Sequence, residues 1–194
     1  MQTLTTADLL SLEAYARERA AIRARMITYR AARRLEVGPN CTWSFEDRET
    51  VRYQVQEMLR TERIFEAAGI AEELAAYNPL IPGGRDLKAT LLIEYPEPAE
   101  RALRLAALRG MERRCWMQLP GHERVYAIAD EDMERENDEK TSAVHFLRFE
   151  FTPGMIASLQ AGAALAAGID LPAYAHNVDP LPATLRATLL ADLA

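Results

Sequence analysis

Residues 34–47, with the sequence RLEVGPNCTWSFED, contain two short alternating runs around a turn. Leu35 and Val37 alternate with charged residues, a Gly-Pro-Asn turn follows, and Trp43 and Phe45 then alternate with polar residues. Alternation with a period of two is the pattern of a strand that buries one face, and two such runs around a tight turn indicate a β-hairpin. The stretch therefore predicts a hairpin whose buried face carries two large aromatic side chains.

A long helix is predicted on each side of the hairpin. Apolar residues recur at helical spacing through residues 5–33, where a pair of threonines can cap the start. Asp47 can cap a second helix that runs to about Ala68, where Gly69 supplies a natural stop. A short helical segment over residues 70–77 follows.

Further strands are predicted along the rest of the chain. KATLLIEY (88–95) is an apolar run of strand length, RCWMQLPGHERVYAIAD (114–130) is typical of two strands around a Pro-Gly turn, and AVHFLRFEF (143–151) is rich in β-branched and aromatic residues. Helices are predicted over residues 97–110, 153–168 and 181–194.

Runs of strands interrupted by helices favour an α+β fold rather than a parallel α/β sheet. We predict a mostly antiparallel sheet of five or six strands packed against long helices. A chain of 194 residues, about half of them apolar, is long enough to bury a core of its own. A single domain spanning residues 1–194 is therefore expected.

Composition limits the possible partners and compartments. A net charge of -6 argues against general binding of nucleic acid or anionic lipid. No segment has the apolar length of a membrane span or the pattern of a secretory signal, so a cytoplasmic protein is expected. Cys41 and Cys115 have no metal-ligand or disulfide spacing and are predicted to be buried thiols.

The second helix has polar residues where a helical wheel predicts a buried arc. At about 100° per residue, Gln54, Glu57 and Thr61 fall between two apolar sides of the helix, and Glu62 falls among its valines. A carboxylate on a buried face must be paired, protonated or bound to a metal, because an isolated charge out of water is too costly. These four residues form the candidate polar site.

Two interpretations of this site remain open. In the first, the carboxylates form structural ion pairs, for example with Arg148, Arg124 or an arginine of the first helix, since structural networks perturb carboxylates as readily as active sites do. In the second, a carboxylate-lined pocket binds a small cation or a polar ligand. The metal-ligand candidates are then Glu57, Glu62, His122 and His145.

The histidines and cysteines alone do not indicate a catalytic site. His145 shares a strand face with core residues and is expected to be a hydrogen-bonded core histidine. No paired metal-ligand motif exists, so a metal site would have to be assembled from distant segments. A Cys-His pair of Cys115 with His122 or His145 has no spacing that would activate the thiol.

Two charged surfaces are predicted. Four arginines of the first helix, Arg19, Arg23, Arg30 and Arg34, form a stripe that could meet phosphate or neighbouring carboxylates of the same chain. Residues 130–142, DEDMERENDEKTS, form an acidic run that is expected to be a solvated loop or a docking surface for a basic partner.

Several long motifs resemble a known family. RLEVGPN, FEDRETVRYQVQEMLRTERIF, AYNPLIP, LKATLLIEYP, GHERVYAIADED and EKTSAVHFLRFEF are similar to the uncharacterised bacterial group called domain of unknown function 3501, over nearly the whole chain. The resemblance transfers no catalytic residue. It implies a gene context beside a rubrerythrin-like di-iron protein and a cysteine-rich iron–sulfur oxidoreductase subunit, and hence an accessory role in redox or peroxide-stress metabolism.

Three functions are therefore considered. The first is a cytoplasmic accessory protein that contacts a redox partner through its charged surfaces, with the polar face of the second helix serving a structural network. The second is a metal-binding protein or an enzyme with a carboxylate and histidine pocket. The third, disfavoured by the acidic charge, is nucleic-acid binding through the arginine stripe. The alanine- and glycine-rich segment near Ala161 is expected to pack within the chain or across a homodimer.

Overall fold

The computed structural model describes residues 2–129 and 141–193. The helices of this part are α1 Leu12–Ala31, α2 Arg48–Glu62, α3 Ala67–Tyr77, α4 Pro98–Ala107, α5 Pro153–Gln160 and α6 Ala183–Leu190. The strands are β1 Arg34–Glu36, β2 Cys41–Glu46, β3 Asp86–Ile93, β4 Cys115–Gln118, β5 Val125–Tyr126, β6 Ile128–Ala129, β7 Val144–Glu150, β8 Ala166–Leu171 and β9 Tyr174–Val178.

These strands form two antiparallel sheets. The first sheet has the order β1-β2-β3-β7-β6 and the second has the order β5-β4-β8-β9. The predicted α+β class with antiparallel pairing is confirmed. The strands are divided between sheets of five and four because β4 pairs with β8. The start of β8 lies in a segment that the sequence pattern predicts to be helical.

The hairpin at residues 34–47 forms as predicted. Leu35 pairs with Trp43 across β1 and β2, and Gly38 occupies the turn with φ of 74°. A side chain at Gly38 would also collide with its neighbours, since an added Cβ would lie 2.6 Å from the hydroxyl oxygen of Tyr174. The turn therefore requires glycine for its conformation and for the close approach of β9.

The main core lies between the two sheets. The first sheet contributes Trp43, Phe45 and Phe149 to one buried cluster, and the second contributes Met117 and Ile169. The rings of Trp43 and Phe149 stack with centroids 5.3 Å apart. Alternation in β2 and β7 puts these side chains on one face, so the opposite face of the first sheet, called here the outer face, carries the residues between them.

The first three helices lie against this outer face. A second apolar cluster joins Val51, Val55 and Leu59 of α2 to Leu74 of α3 and to Ile81. Asp47 caps α2, with its carboxylate accepting a hydrogen bond from the Thr50 backbone N–H at 2.8 Å, as predicted. This helical layer holds the residues of the candidate site.

The helix boundaries differ from the predicted ones. The helix α2 ends at Glu62 rather than near Ala68, because Arg63 adopts a left-handed conformation with φ of 56°. Gly69 therefore lies inside α3 instead of ending a helix. At the start of the chain, Ser11 caps α1, whereas the predicted cap residue Thr5 precedes a separate 3₁₀ turn over Thr6–Asp8.

The segment 153–168 is not one helix. It forms α5, a turn, and the beginning of β8, which pairs with β4 on one side and β9 on the other. Gly168 lies so close to Trp116 that a Cβ would be 2.6 Å from the Cζ2 atom of the indole. Gly168 thus serves contact with an aromatic ring within the chain, whereas Ala161, Gly162 and Ala164 are exposed. The continuous helix expected to pack within the chain or across a homodimer does not form.

No helix within the described residues has the length and apolar character needed to cross a membrane. The acidic run expected to be a solvated loop or a docking surface falls mostly on residues 130–140, which lie outside the described part of the chain.

Candidate functional site

The buried side of α2 differs from the side that the helical wheel predicts. Val51, Val55 and Leu59 are buried, whereas Thr61 and Glu62 are exposed. The prediction that these two polar residues face inward is wrong. A wheel gives the direction of a side chain but not the presence of a neighbour, and the last turn of α2 is open to solvent.

The two glutamines of α2 have different roles. Gln56 is buried and binds the backbone of Leu10 twice. Its Oε1 accepts from the Leu10 N–H at 2.9 Å, and its Nε2 donates to the Leu10 carbonyl at 3.1 Å. Gln54 is half-buried and lines a cavity described below.

Glu57 is held in an ion pair with α1. Arg19 donates from Nε at 2.8 Å and from Nη2 at 2.7 Å to the two carboxylate oxygens, and the Tyr15 hydroxyl donates to one of them. The hydrogen bonds from Arg19 lower the pKa of Glu57, while burial raises the pKa of Tyr15. This is the ion pair with an arginine of the first helix that the sequence allows.

The structure does not gather the four metal-ligand candidates. Glu57 is paired with Arg19, and Glu62 is exposed. The His122 Nε2 lies 3.0 Å from the Ser158 hydroxyl, and the buried His145 Nε2 lies 2.8 Å from the Thr141 hydroxyl. Across residues 2–129 and 141–193, no group of three or more His, Cys, Asp or Glu side chains is arranged to hold a metal ion.

Both thiols are buried, as predicted. Burial raises the pKa of Cys41 to about 11 and also raises the pKa of Cys115. A thiol with a raised pKa is a poor nucleophile at neutral pH, so the structure offers no activation for a Cys-His pair.

The arginine stripe is partly neutralised by carboxylates of the same chain. Arg19 binds Glu57, and Arg34 lies 3.5 Å from Glu94. Arg30 is different, because its guanidinium lines the cavity together with Gln54.

This cavity, called here the outer-face pocket, has a volume of about 290 Å³. Its floor is the outer face of the first sheet, where Ser44, Thr90 and Phe146 lie side by side on β2, β3 and β7. Leu92 and Val144 form the next row of the floor. The walls come from α1, α2, the end of α3 and the 3₁₀ turn after it, through Arg30, Val51, Gln54, Tyr77 and Leu80.

Glu46 brings a carboxylate to one side of the pocket. Its side chain is buried, with Oε1 accepting from the Thr90 hydroxyl at 2.8 Å and Oε2 accepting from the Thr50 hydroxyl at 2.6 Å. Within the described part of the chain, no cationic side chain lies within ion-pair distance of this carboxylate. Each oxygen retains a further lone pair, because an ionised carboxylate has about four acceptor sites.

Arg30 brings a cation to the same pocket. Its guanidinium lies 5.7 Å from the ring centroid of Tyr53, a cation–π arrangement that orients the side chain. Its Nε–H is buried and has no hydrogen-bond partner among residues 2–129 and 141–193. No carboxylate of those residues is within ion-pair distance. A pocket of mixed polarity therefore contains one cationic and one anionic group, neither neutralised by the described protein.

A protein-family model matches nearly the whole length of the chain. This model, described as "Protein of unknown function (DUF3501)", matches residues 3–193. The chain belongs to this family. A crystal structure of a novel protein of unknown function from Burkholderia pseudomallei K96243 is similar to this DUF3501 chain, with 48% sequence identity, a TM-score of 0.92 and complete coverage of both chains. No curated protein matches the chain.

Sequence reasoning found one residue of the pocket of this DUF3501 protein, Gln54, and missed the others. The signal for Ser44 and Glu46 is present, because they alternate with Trp43 and Phe45 in β2 and so must share the opposite face. The sequence identifies Arg30 only as one member of the arginine stripe. Its meeting with the sheet depends on how α1 crosses the outer face, which no local pattern encodes.

Proposed function

We propose that this DUF3501 protein is an accessory protein that binds a small polar organic molecule in the outer-face pocket. The observation that carries the proposal is the pair of unneutralised groups there, the Glu46 carboxylate and the Arg30 guanidinium. Polar atoms buried in a folded protein nearly always have hydrogen-bond partners, and buried charges are paired. The buried Nε–H of the half-buried Arg30 has no acceptor among the described residues, and the buried Glu46 carboxylate has no cation among them. A ligand is a partner that would satisfy both.

The shape of the pocket supports a small ligand. Its volume of about 290 Å³ is at the lower end of ligand sites, which typically span roughly 300–1,000 Å³. Apolar side chains such as Leu92, Val144 and Leu80 line it beside the hydroxyls of Ser44 and Thr90. Such sites bury an apolar part of the ligand and fix its orientation through a few polar groups.

The test uses a pocket-filling variant. Ser44→Phe puts a large ring on the pocket floor, while Thr184→Phe introduces the same ring on the exposed side of α6 and serves as control. Binding of leucine, isocaproate, isoamylamine and isoamyl alcohol is measured by saturation-transfer NMR and calorimetry. We expect at least one probe to bind the wild type and the control, and to lose binding in Ser44→Phe. If no probe binds, or if Ser44→Phe binds like the wild type, the proposal fails.

We further propose a cytoplasmic redox setting for this binding activity. Its support is the gene context that the family resemblance implies, with a rubrerythrin-like protein and an iron–sulfur oxidoreductase subunit as partners. The tagged protein, expressed at native level in its host, should enrich one of these two proteins over a tagged unrelated control. Lack of enrichment after mild crosslinking would contradict the redox setting and leave the pocket proposal standing.

A further inference from the structure

We infer that the ligand of the outer-face pocket is an amino-acid zwitterion with an apolar side chain, and this inference rests on the proposed binding function. The pocket contains one acidic and one basic side chain, Glu46 and Arg30, that do not pair with each other or with other described residues. An α-amino acid carries the two complementary charges on one small molecule. Its side chain would supply the apolar part that the pocket lining requires.

The Glu46 side of the pocket is suited to an ammonium group. An ammonium has three N–H donors and no acceptor, and the carboxylate of Glu46 retains acceptor capacity after the bonds from Thr50 and Thr90. The amide oxygen of Gln54 and the hydroxyl oxygen of Ser44 are further acceptors lining the same cavity. A hydrogen bond to a charged group contributes more than a neutral one, especially away from water.

The Arg30 side is suited to a carboxylate. Guanidinium N–H groups match the two oxygens of a carboxylate in a planar fork. The buried Nε–H of Arg30 lacks a partner in the described chain, and stacking over Tyr53 limits the movement of the guanidinium. A carboxylate of the ligand would complete the hydrogen bonding of this donor.

A ligand with a single charge would leave one of the two groups unsatisfied. A simple anion would pair with Arg30 but would bring a second negative charge close to Glu46, and a simple amine would place like charges together at Arg30. Like charges in a cavity of low polarity repel more strongly than in water. The apolar floor residues Leu92, Val144 and Phe146 exclude a ligand that is polar over its whole surface.

The deciding experiment compares leucine with its two truncated analogues by calorimetry on the wild-type protein. Isocaproate lacks the ammonium of leucine and isoamylamine lacks the carboxylate, while the hydrocarbon part is retained. We expect leucine to bind and each truncation to weaken binding at least about tenfold, since each removes charge-assisted hydrogen bonds. If either analogue binds as tightly as leucine, or if leucine does not bind, the zwitterion inference is overturned.

Two variants assign the charges to their partners. Arg30→Met should weaken leucine binding at least about tenfold but not weaken isoamylamine binding, whereas Glu46→Gln should weaken the binding of leucine and isoamylamine but not of isocaproate. Arg23→Met, an exposed position on the same helix, and Glu36→Gln, an exposed position on β1, are the matched controls. The reverse pattern would overturn the assignment of the two charges. The wild-type comparison stays decisive if a variant fails to fold.

Failure of the zwitterion inference is distinguishable from failure of the proposed binding function. Binding of isocaproate or isoamylamine alone, abolished by Ser44→Phe, would refute the zwitterion and keep the pocket as a binding site. Absence of binding by every probe, including isoamyl alcohol, would refute both.

Discussion

Arg33 and Asp192, which lie 159 positions apart in the chain, form a buried ion pair. The same guanidinium lies 3.0 Å from the carboxylate of Asp47 and donates at 3.1 Å to the Phe45 carbonyl. The Tyr29 hydroxyl donates to Asp47 as well. Two carboxylates therefore share one cation at the junction of α1, the hairpin and the end of α6, which leaves a buried negative charge uncompensated within this group.

This arrangement predicts a pH dependence of stability through Asp192. Burial, together with the nearby Asp47 charge and against the attraction of Arg33, raises the pKa of Asp192 from 3.8 to about 6. Between these values the folded state binds a proton that the unfolded state has released, so this contribution to stability is complete at low pH and lost as the pH rises through 6. Relative to the wild type, the free energy of unfolding of Asp192→Asn should therefore rise by up to about 3 kcal/mol between roughly pH 4 and pH 7.

Urea unfolding of both proteins across this pH range measures the difference. Glu18→Gln, an exposed carboxylate on α1, should keep a constant difference from the wild type and serves as control. A flat difference for Asp192→Asn would show that Asp192 titrates alike in the folded and unfolded states.

Two glutamates of α2 should differ in how much their substitution destabilises the protein. Glu57→Gln replaces a half-buried carboxylate that Arg19 and Tyr15 bind, and we expect a loss of about 1–2 kcal/mol at neutral pH. Glu62→Gln changes an exposed side chain and should alter the free energy of unfolding by less than about 0.5 kcal/mol. The pKa of Glu57 is lowered, so its contribution should disappear as the pH falls through that lowered value.

Chemical denaturation of both variants provides the measurement, and a double-mutant cycle with Arg19→Met isolates the pair. A coupling energy near zero between positions 19 and 57 would mean that the observed ion pair does not contribute to stability. A larger effect of Glu62→Gln than of Glu57→Gln would support the inward orientation that the helical wheel predicts.

The sequence predicts those features of this fold that local chemistry decides. The β2 alternation, the turn around Gly38 and the cap at Asp47 each follow from the conformations of a few neighbouring residues, and all are confirmed. The segment 166–168 illustrates the opposite case. Its alanines suit a helix locally, but pairing with β4 and packing against Trp116 make it a strand.

The candidate site shows the same division between local and tertiary information. The sequence identifies Gln54 and Glu57 as unusual polar residues on α2, but the helical wheel cannot distinguish Glu57, which has a partner on α1, from Glu62, which has open solvent. The charged groups of the pocket, Glu46 and Arg30, come from different elements. Their meeting is a consequence of helix packing on the sheet and could not be predicted from spacing.

Gly168→Ala should destabilise the protein although the change adds one methyl group. The new Cβ would lie 2.6 Å from Cζ2 of Trp116 and 2.8 Å from the carbonyl oxygen of His176, and a backbone oxygen in a paired strand cannot move aside easily. Overpacking of this kind typically costs about 1–3 kcal/mol. Gly154→Ala is the matched control, because its nearest atom would be 3.9 Å from the new Cβ and alanine is the better helix former.

Thermal unfolding followed by tryptophan fluorescence measures both glycine variants. We expect a lower melting temperature for Gly168→Ala and an unchanged or higher one for Gly154→Ala. Equal melting temperatures for the two variants would contradict the close contact between β8 and Trp116.

Gln56→Leu and Gln54→Leu should separate a structural amide from a pocket amide on the same helix. The Gln56 side chain is the partner of both the N–H and the carbonyl of Leu10, so its loss leaves two polar groups at a half-buried site and should cost about 1–3 kcal/mol. Gln54 only lines the pocket, and its replacement by leucine should change the free energy of unfolding by less than about 0.5 kcal/mol. Hydrogen exchange at the Leu10 amide, together with urea unfolding, measures the effect. Faster exchange in Gln56→Leu alone is expected, because that backbone N–H loses its acceptor, while equal protection in both variants would show that the amide does not anchor the start of α1 to α2.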